Sequence, residues 1–401
     1  MARFGDGLAT DADLIVAARR ATEESVRVLD GRQPDLCAVF ACGVSAEQIG
    51  EALAVVADSC GAPVAIGGSM PGVIAAGRGV EASSAVAVWS AVLPEVRIRG
   101  FALEVLPADA GMAVVGLPEH RDDDAAIVLL ADPWSFPIDG FVEQSNAALP
   151  GVPIVGGMAA GPTGRGSTRL LVDGRVVDRG AVGVVLGGPV GARAVVSQGC
   201  RPVGPTMTVT ASESNVIQEL AGVPALTKLE EIVTALPPVD QALVTRGLQI
   251  GIARDEYADE HGQGDFLVRG IAGSAAGGGL VVGDLVPVGR TVRFQARDAA
   301  AAHDDLVATL ERFRASGAID TVEGALLFSC NGRGAAMFPT ADHDPDVLRS
   351  SLSTNAGIAG CFAAGEIGPV AGRNYVHGFT ASILAFGSGA VAQRGTSAAS
   401  P

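Results

Sequence analysis

The sequence predicts an α/β protein of mixed sheets flanked by helices, in which strand–helix–strand units are repeated and two domains pack together. The first observation is a pattern of strand, helix, glycine-rich strand and closing strand that occurs three times. The second is the length of 401 residues, which exceeds the usual length of a domain with a single hydrophobic core. The third is an apolar content of 48% without the run of roughly 18–20 apolar residues that a membrane-spanning helix needs.

The three copies of the repeat, called copies one, two and three in chain order, contain the same elements. The first strands are predicted at 36–41, 126–131 and 325–329, the glycine-rich second strands at 63–72, 152–161 and 356–365, and the closing strands at 85–92, 181–186 and 379–386. Apolar runs of this length, bounded by glycine and proline, are typical of strands buried on both faces.

Helix signals lie between the strands of copies one and three. In copy one, Ser45 with Gln48 three residues later predicts a helix start, and Gly61 predicts its end. In copy three, Asp344 before Pro345 predicts an N-cap followed by proline at the first helical position. Each copy is therefore expected to fold as a strand–helix–strand unit.

The remaining sequence predicts further elements and the domain limits. Helices are predicted at 14–29, 212–220 and 301–316, a hairpin turn at Asp173-Gly174, and a domain boundary in the polar stretch 221–238. We therefore expect an N-terminal helix extension over 1–34, two domains over 35–225 and 226–390, and a disordered tail over 391–401.

Composition excludes several classes of protein. A net charge of -16 disfavours nucleic acid and anionic membranes as partners, because both bind clustered Lys and Arg. The N-terminus has no apolar segment followed by a cleavage site, so we expect a soluble, cytoplasmic protein. The sequence contains no zinc motif, and Cys37 and Cys42 should lie on opposite faces of one strand, where they cannot share a metal.

The polar residues with the greatest potential for chemistry follow the strands of copy three. Glycine-rich turns at strand ends expose backbone N–H groups that can hold a small anion, and ligand loops of α/β sheets converge at one edge. Neither a dinucleotide-binding nor a P-loop pattern occurs, so a nucleotide ligand is not expected. The candidate ligand-binding residues are Cys330, Asn331, Arg333, Gly365, Glu366, Arg373, Asn374 and His377.

Alternatives remain open for each of these side chains. Glu366 could hold a ligand ammonium group or accept backbone N–H bonds within its loop. Arg373 could clamp a carboxylate or be solvated. His377 could line a pocket, ligate haem or be a core histidine, and Cys330 could be a nucleophile or a small buried residue.

Residues 325–386 resemble the C-terminal domain of the FIST family, through Gly365-Glu366-Ile367 and His377-Gly378-Phe379-Thr380. Val155-Gly156-Gly157, Leu171 to Gly174 and Ser197 to Gly204 resemble its N-terminal domain. One departure is Val73, which stands where N-terminal FIST domains often have a glutamate, so the ligand class cannot be transferred from such relatives.

The resemblance implies a free-standing sensory protein that binds a small ligand, such as an amino acid or a related metabolite, and acts on a signalling protein partner. No cofactor is implied, except that some FIST relatives bind haem and sense nitric oxide, in which case His377 is the candidate axial ligand. A third hypothesis is an enzyme that uses Cys330, His377 and Glu366 as nucleophile, base and orienting group.

Overall fold

The structure is a computed structural model that describes residues 1–108, 111–258, 261 and 264–388. The tail predicted at 391–401 lies outside the described residues. Within the described ranges the chain forms helices and mixed sheets, so the predicted α/β class with repeated strand–helix–strand units is confirmed. No helix among these residues combines the length and the apolar composition needed to cross a bilayer.

Copy one folds as predicted and is preceded by an additional strand. Its elements are β1 (Arg3–Thr10), α1 (Leu14–Arg27), β2 (Leu36–Cys42), α2 (Ala46–Cys60), β3 (Val64–Ser69), β4 (Gly72–Ala75), β5 (Arg78–Val80) and β6 (Ala85–Val92). The Ser45 hydroxyl accepts the Gln48 N–H at the start of α2, and Gly61 ends the helix at φ 75°, as predicted. The segment before β2, which is predicted as a helical extension, also contains β1, and this strand pairs antiparallel with β6.

Copy two contains β7 (Arg97–Ala108), β8 (Gly111–Val115), β9 (Asp124–Ala131), α3 (Ile138–Ala148), β10 (Ile154–Met158), β11 (Leu170–Val172), β12 (Arg175–Val177) and β13 (Ala181–Gly187). The predicted turn at Asp173-Gly174 joins β11 to β12. Both residues have a positive φ, 47° and 75°, which is the conformation that an Asp-Gly hairpin turn requires.

An inserted sheet lies in the chain between β14, which is the edge strand of the copy-three sheet, and the other strands of copy three. After β14 (Ala192–Gln198) come β15 (Cys200–Glu213), β16 (Val216–Leu220), β17 (Val223–Pro224), α4 (Ala225–Ala235), α5 (Pro238–Arg246), β18 (Leu248–Ala253), β19 (Phe266–Ala275), β20 (Gly279–Val282) and β21 (Thr291–Arg297). The predicted helix at 212–220 is wrong, because Ile217 and Leu220 are buried in a strand that pairs with β15. The stretch 221–238, where a domain boundary is predicted, contains α4.

Copy three continues with α6 (Ala299–Ala315), β22 (Thr321–Cys330), α7 (His343–Leu352), β23 (Gly357–Ala363), β24 (Glu366–Val370), β25 (Arg373–His377) and β26 (Thr380–Ser388). The predicted N-cap of α7 is wrong by two residues, since Asp342 precedes the helix and Asp344 lies in its first turn. The Asp344 carboxylate binds Arg333 instead of capping the helix.

The three copies share one sheet order apart from the additional edge strand β8 in copy two, and they exchange one hairpin each. The orders are β1-β6-β2-β3-β11-β12, β8-β7-β13-β9-β10-β24-β25 and β14-β26-β22-β23-β4-β5. Copy one therefore receives a hairpin from copy two, copy two receives one from copy three, and copy three receives one from copy one. Each copy thus gives one hairpin and receives another. The sheets of copies two and three are therefore completed by strands from the other predicted domain.

One apolar core fills the space between the three sheets. Phe40 of β2 and Phe328 of β22 meet with ring centroids 5.9 Å apart, and Val128 of β9 belongs to the same buried cluster. The outer face of each sheet is covered by helices, which are α1 and α2, α3, and α6 and α7. Cys42 faces the inner core and Cys37 the outer cluster, so their predicted placement on opposite faces is confirmed.

A glycine in each copy allows the second strand to lie close to the first. These glycines are Gly67, Gly156 and Gly360, and a Cβ at each would collide with the backbone carbonyl of Val39, Leu129 and Leu327, respectively. Glycine is therefore required at these positions by strand packing.

Candidate functional site

The eight residues predicted for the site lie at the ends of strands in copy three, in two groups. The first comprises Cys330, Asn331, Arg333, Gly365 and Glu366, which lie at the end of β22, in the turn after it, and at or directly before the start of β24. The second comprises Arg373, Asn374 and His377 on β25. Only the first group contributes side chains to a common buried cluster.

Glu366 is fully buried at the start of β24. Its Oε2 accepts the backbone N–H of Thr380 at 3.1 Å and the Thr380 hydroxyl at 2.9 Å. Its Oε1 has no hydrogen-bond partner among the described residues. Burial raises the pKa of Glu366 to about 8, although the Thr380 bonds, the neighbouring Cys330 thiol and the Arg333 charge oppose the rise. The carboxyl group is therefore mainly neutral at pH 7.

Arg333 is fully buried in the turn after β22 and binds Asp344 at two points. Its Nε donates to Oδ2 at 2.8 Å and its Nη2 to Oδ1 at 2.9 Å. Burial opposes ionisation of Asp344, but the Arg333 guanidinium holds the pKa of that carboxyl well below its usual range. Nη1 of Arg333 has no hydrogen-bond partner among the described residues.

Cys330 lies at the end of β22 beside Glu366 and is 5% exposed. Its thiol donates to Asn331 Oδ1 at 3.8 Å, and its sulfur accepts the Gly332 N–H at 3.5 Å. Burial and the neighbouring Glu366 raise the pKa of this thiol. The thiol therefore stays protonated at neutral pH, which does not suit a nucleophile.

Asn331 and Gly365 position the cluster through their backbones. The Asn331 N–H donates to Ala363 at 2.9 Å, and the Gly365 carbonyl accepts the Met158 N–H at 2.8 Å. These bonds tie the turn after β22 to β23, and the start of β24 to β10. We call Cys330, Arg333, Glu366 and Thr380 the Glu366 cluster.

Phe379 lies over the turn that carries Cys330 and Arg333. It has a φ of 61°, a left-handed conformation that a bulky residue rarely adopts. Its ring leaves no room for a side chain at Gly332, where a Cβ would lie 2.7 Å from Cε1. The Arg297 guanidinium of the inserted sheet stacks 4.8 Å from the ring centroid. The cluster therefore lies at the junction between copy three and the inserted sheet.

His377 lies outside the cluster's hydrogen bonds. Its Nε2–H donates to the Gly368 carbonyl at 2.9 Å, and burial lowers its pKa to about 4. This ring nitrogen therefore already has a hydrogen-bond partner. The predicted use of His377 as the base for Cys330 would require a hydrogen bond between the two side chains, and none is present among the described residues. The predicted strand face shared by Tyr375, His377 and Phe379 ends at His377, because Phe379 turns into the left-handed region.

The cavity beside the strand of His377 does not fit haem, and His377 is not among the residues that line it. The cavity beside its strand has a volume of about 470 Å³ and is lined by Arg254, Arg269, Arg290 and Arg373 together with Asp139, Glu143 and Asp284. A haem ligand needs a free ring nitrogen that faces an apolar pocket, whereas this wall is charged. Among the described residues, no cluster of three or more His, Cys, Asp or Glu side chains could hold a metal ion.

Arg373 and Asn374 have structural contacts away from the cluster. Arg373 is exposed and forms an ion pair with the exposed Glu143 at 3.0 Å. The Asn374 side chain accepts the Ile154 N–H at 2.8 Å and donates to the Val152 carbonyl at 2.9 Å. Asn374 thereby fixes the start of β10 against β25.

Asp344, Thr380 and Phe379 contribute to the site although the sequence analysis did not select them as site residues. Thr380 directly follows the Gly378-Phe379 pair, and a hydroxyl after a glycine turn is a weak signal for a carboxylate partner. The sequence predicts a helix-capping role for Asp344. The left-handed φ of Phe379 has no sequence signal, because bulky residues disfavour that conformation.

Two family models and several known proteins match the chain. The FIST N domain matches residues 35–223 and the FIST C domain matches residues 225–369. "Uncharacterized protein Rv0628c" of Mycobacterium tuberculosis is 43% identical over 385 residues, which cover 96% of this chain and 99% of that protein. "Uncharacterized protein Mb0898c" of Mycobacterium bovis is 40% identical over 385 residues, which cover 96% of this chain and 98% of that protein.

Proposed function

The chain belongs to the FIST family, whose domains are associated with small-ligand binding in sensing and signal transduction, and we propose that it is a sensory protein whose small ligand occupies the Glu366 cluster. Amino acids and related metabolites are the ligand classes that the family implies. The proposal includes a partner, which is a signalling protein that distinguishes the free chain from the liganded chain.

The observation that carries this proposal is a pair of unpartnered polar atoms in one buried cluster. Glu366 Oε1 and Arg333 Nη1 both lack a hydrogen-bond partner among the described residues, although both side chains are fully buried. A buried polar group without a partner costs about 1–3 kcal/mol, and more when it is charged. A ligand that supplies both partners would recover this free energy on binding.

The position of the cluster also supports a sensory role. Arg297 of the inserted sheet stacks on Phe379, and Phe379 lies on the turn that contains Arg333. A ligand beside Arg333 would therefore be close to the contact between copy three and the inserted sheet. A shift of this contact is a physical route by which occupancy would reach the surface.

The proposal is tested by a thermal-shift screen of the purified chain against amino acids, other small metabolites and haemin. A ligand present at a hundred times its dissociation constant stabilises by about 2.7 kcal/mol, which raises the melting temperature measurably. We expect at least one metabolite to stabilise the wild type and to have less effect on Glu366→Leu, which removes the polar atoms of residue 366. A screen without any stabilising compound would refute the proposed function.

A further inference from the structure

We propose that the group recognised by the Glu366 cluster is a carboxylate, which accepts hydrogen bonds from Arg333 Nη1 and from Glu366 Oε1. This inference rests on the proposed function, because it names the class of ligand for that same site. It differs from the alternative in which Glu366 holds an ammonium group.

The hydrogen bonds of Thr380 determine the position of the Glu366 proton. Both the backbone N–H and the hydroxyl of Thr380 donate to Oε2, at 3.1 and 2.9 Å. An oxygen that accepts two hydrogen bonds is a poor site for the acidic proton, so a neutral Glu366 carries it on Oε1. Glu366 Oε1 is then a donor, as Arg333 Nη1 always is.

The cluster offers these two donors, and neither has an acceptor among the described residues. Both oxygens of Asp344 are already engaged, Oδ1 by Arg333 Nη2 and His343, and Oδ2 by Arg333 Nε and Ser329. The missing partner must therefore be an acceptor. A carboxylate has two acceptor oxygens and a negative charge, and both suit a guanidinium edge beside a protonated acid.

An ammonium ligand is disfavoured by the same groups. It would have only donors to present to Arg333 Nη1 and Glu366 Oε1, and it would lie near the Arg333 charge. Its natural partner, an ionised Glu366, is opposed by burial.

The ionisation of Glu366 makes carboxylate binding dependent on pH. The titratable and charged groups near Glu366 are Cys330 and Arg333 after β22, Cys361 on β23, and its strand partner His377 on β25. Burial keeps the Cys330 and Cys361 thiols protonated, and it keeps His377 neutral above its pKa of about 4. Glu366 is then the group in this set that changes charge between pH 7 and 9.

The test uses matched probes on the full chain at constant ionic strength. Acetate, propionate, pyruvate and succinate are the carboxylates, acetamide and propionamide the neutral analogues, and ethylamine and propylamine the cations. Binding is measured by thermal shift and by calorimetric titration at pH 7 and pH 9. Circular dichroism and melting temperature confirm that each variant is folded.

We expect at least one carboxylate to bind the wild type, with an apparent Kd that rises about tenfold from pH 7 to pH 9 as Glu366 ionises. Glu366→Gln keeps a neutral donor and should bind with a similar Kd at pH 7 but without this dependence. Glu366→Leu should lose binding. The pH profile of the wild type tests the proposal even if a variant fails to fold.

Each other outcome overturns the proposal. Stabilisation by amides or amines but not by carboxylates would retain the proposed function and reject the carboxylate. Carboxylate binding that is equal in Glu366→Gln and Glu366→Leu would place the ligand elsewhere. If no probe and no metabolite stabilises the chain, the carboxylate and the proposed function both fail.

Discussion

One oxygen of Glu366 accepts both hydrogen bonds that Thr380 offers, at 3.1 Å from the backbone nitrogen and 2.9 Å from the hydroxyl. The two residues begin β24 and β26, so these bonds close the hairpin of copy three onto its last strand. Because Oε2 is fully engaged, Oε1 is the atom of Glu366 that remains for a ligand. The following predictions test this arrangement and the packing that supports it.

The stability of the chain should depend on the ionisation of Glu366. Folding raises its pKa from 4.5 to about 8, so the folded chain retains a proton that the unfolded chain releases. Its stabilising contribution is complete below pH 4.5 and is lost as pH rises through 8. We expect the wild type to lose up to about 5 kcal/mol relative to Glu366→Gln over this range. Urea denaturation of both proteins measures the difference, and parallel stability curves would contradict a neutral Glu366.

His377 should have the opposite effect at low pH. Burial lowers its pKa from 6.5 to about 4, so the unfolded chain binds a proton that the folded chain does not. The contribution of neutral His377 is complete above pH 6.5 and is lost as pH falls through 4. We expect the wild type to lose up to about 3 kcal/mol relative to His377→Gln over this range. An NMR titration of the His377 ring gives a second measurement, and a midpoint near 6.5 would refute this prediction.

Arg333 and Asp344 should be strongly coupled. Arg333→Met leaves the Asp344 carboxylate buried without its counter-ion, which should cost about 3–5 kcal/mol. The double variant Arg333→Met with Asp344→Asn should cost less than the sum of the single changes. The exposed pair of Arg373 and Glu143 is the control, and its removal should cost less than about 1 kcal/mol. If the stability losses of the two single variants add up to the loss in the double variant, the proposed coupling of Arg333 and Asp344 is contradicted.

Gly360→Ala should destabilise the chain by about 1–3 kcal/mol, because the added Cβ would collide with the Leu327 carbonyl on the neighbouring strand. Gly140→Ala is the matched control, because Gly140 lies in α3 with no neighbouring atom within 4 Å of the added Cβ. This helical substitution should leave stability unchanged or raise it by up to about 1 kcal/mol. Chemical denaturation compares the two variants, and equal effects would show that strand contact does not require Gly360.

Cys60 should be the first of the six cysteines to react with an alkylating reagent. The neighbouring Cys37 thiol lowers the pKa of Cys60, with Ser90 contributing at 3.4 Å, whereas burial raises the pKa of Cys330. Peptide mass spectrometry after brief iodoacetamide treatment at pH 8 should show Cys60 labelled before Cys330. Cys37→Ala should slow the labelling of Cys60, and faster labelling of Cys330 would contradict the protonated thiol at the site.

The sequence selects polar residues at the ends of strands, but it does not assign their roles. Glu366, Arg333 and Cys330 could be selected because polar residues at the ends of buried strands are exceptional in an apolar chain. Asn374 and Arg373 carry the same signal, yet Asn374 bonds to Val152 and Ile154 while Arg373 lies at the surface. Their partners lie in copy two, more than two hundred residues away in sequence, so no local pattern distinguishes the two uses.

The sequence by itself determined the three strand–helix–strand copies, because apolar periodicity, the Ser45 cap and the Asp173-Gly174 turn are local signals. It also determined that chemistry-bearing side chains follow the strands of copy three. Only the tertiary structure decided that the copies exchange hairpins, that 212–220 forms strands, and that Glu366 is neutral. The physical reason is that strand pairing and desolvation depend on residues far apart in the chain, which meet only when the sheets close around their common core.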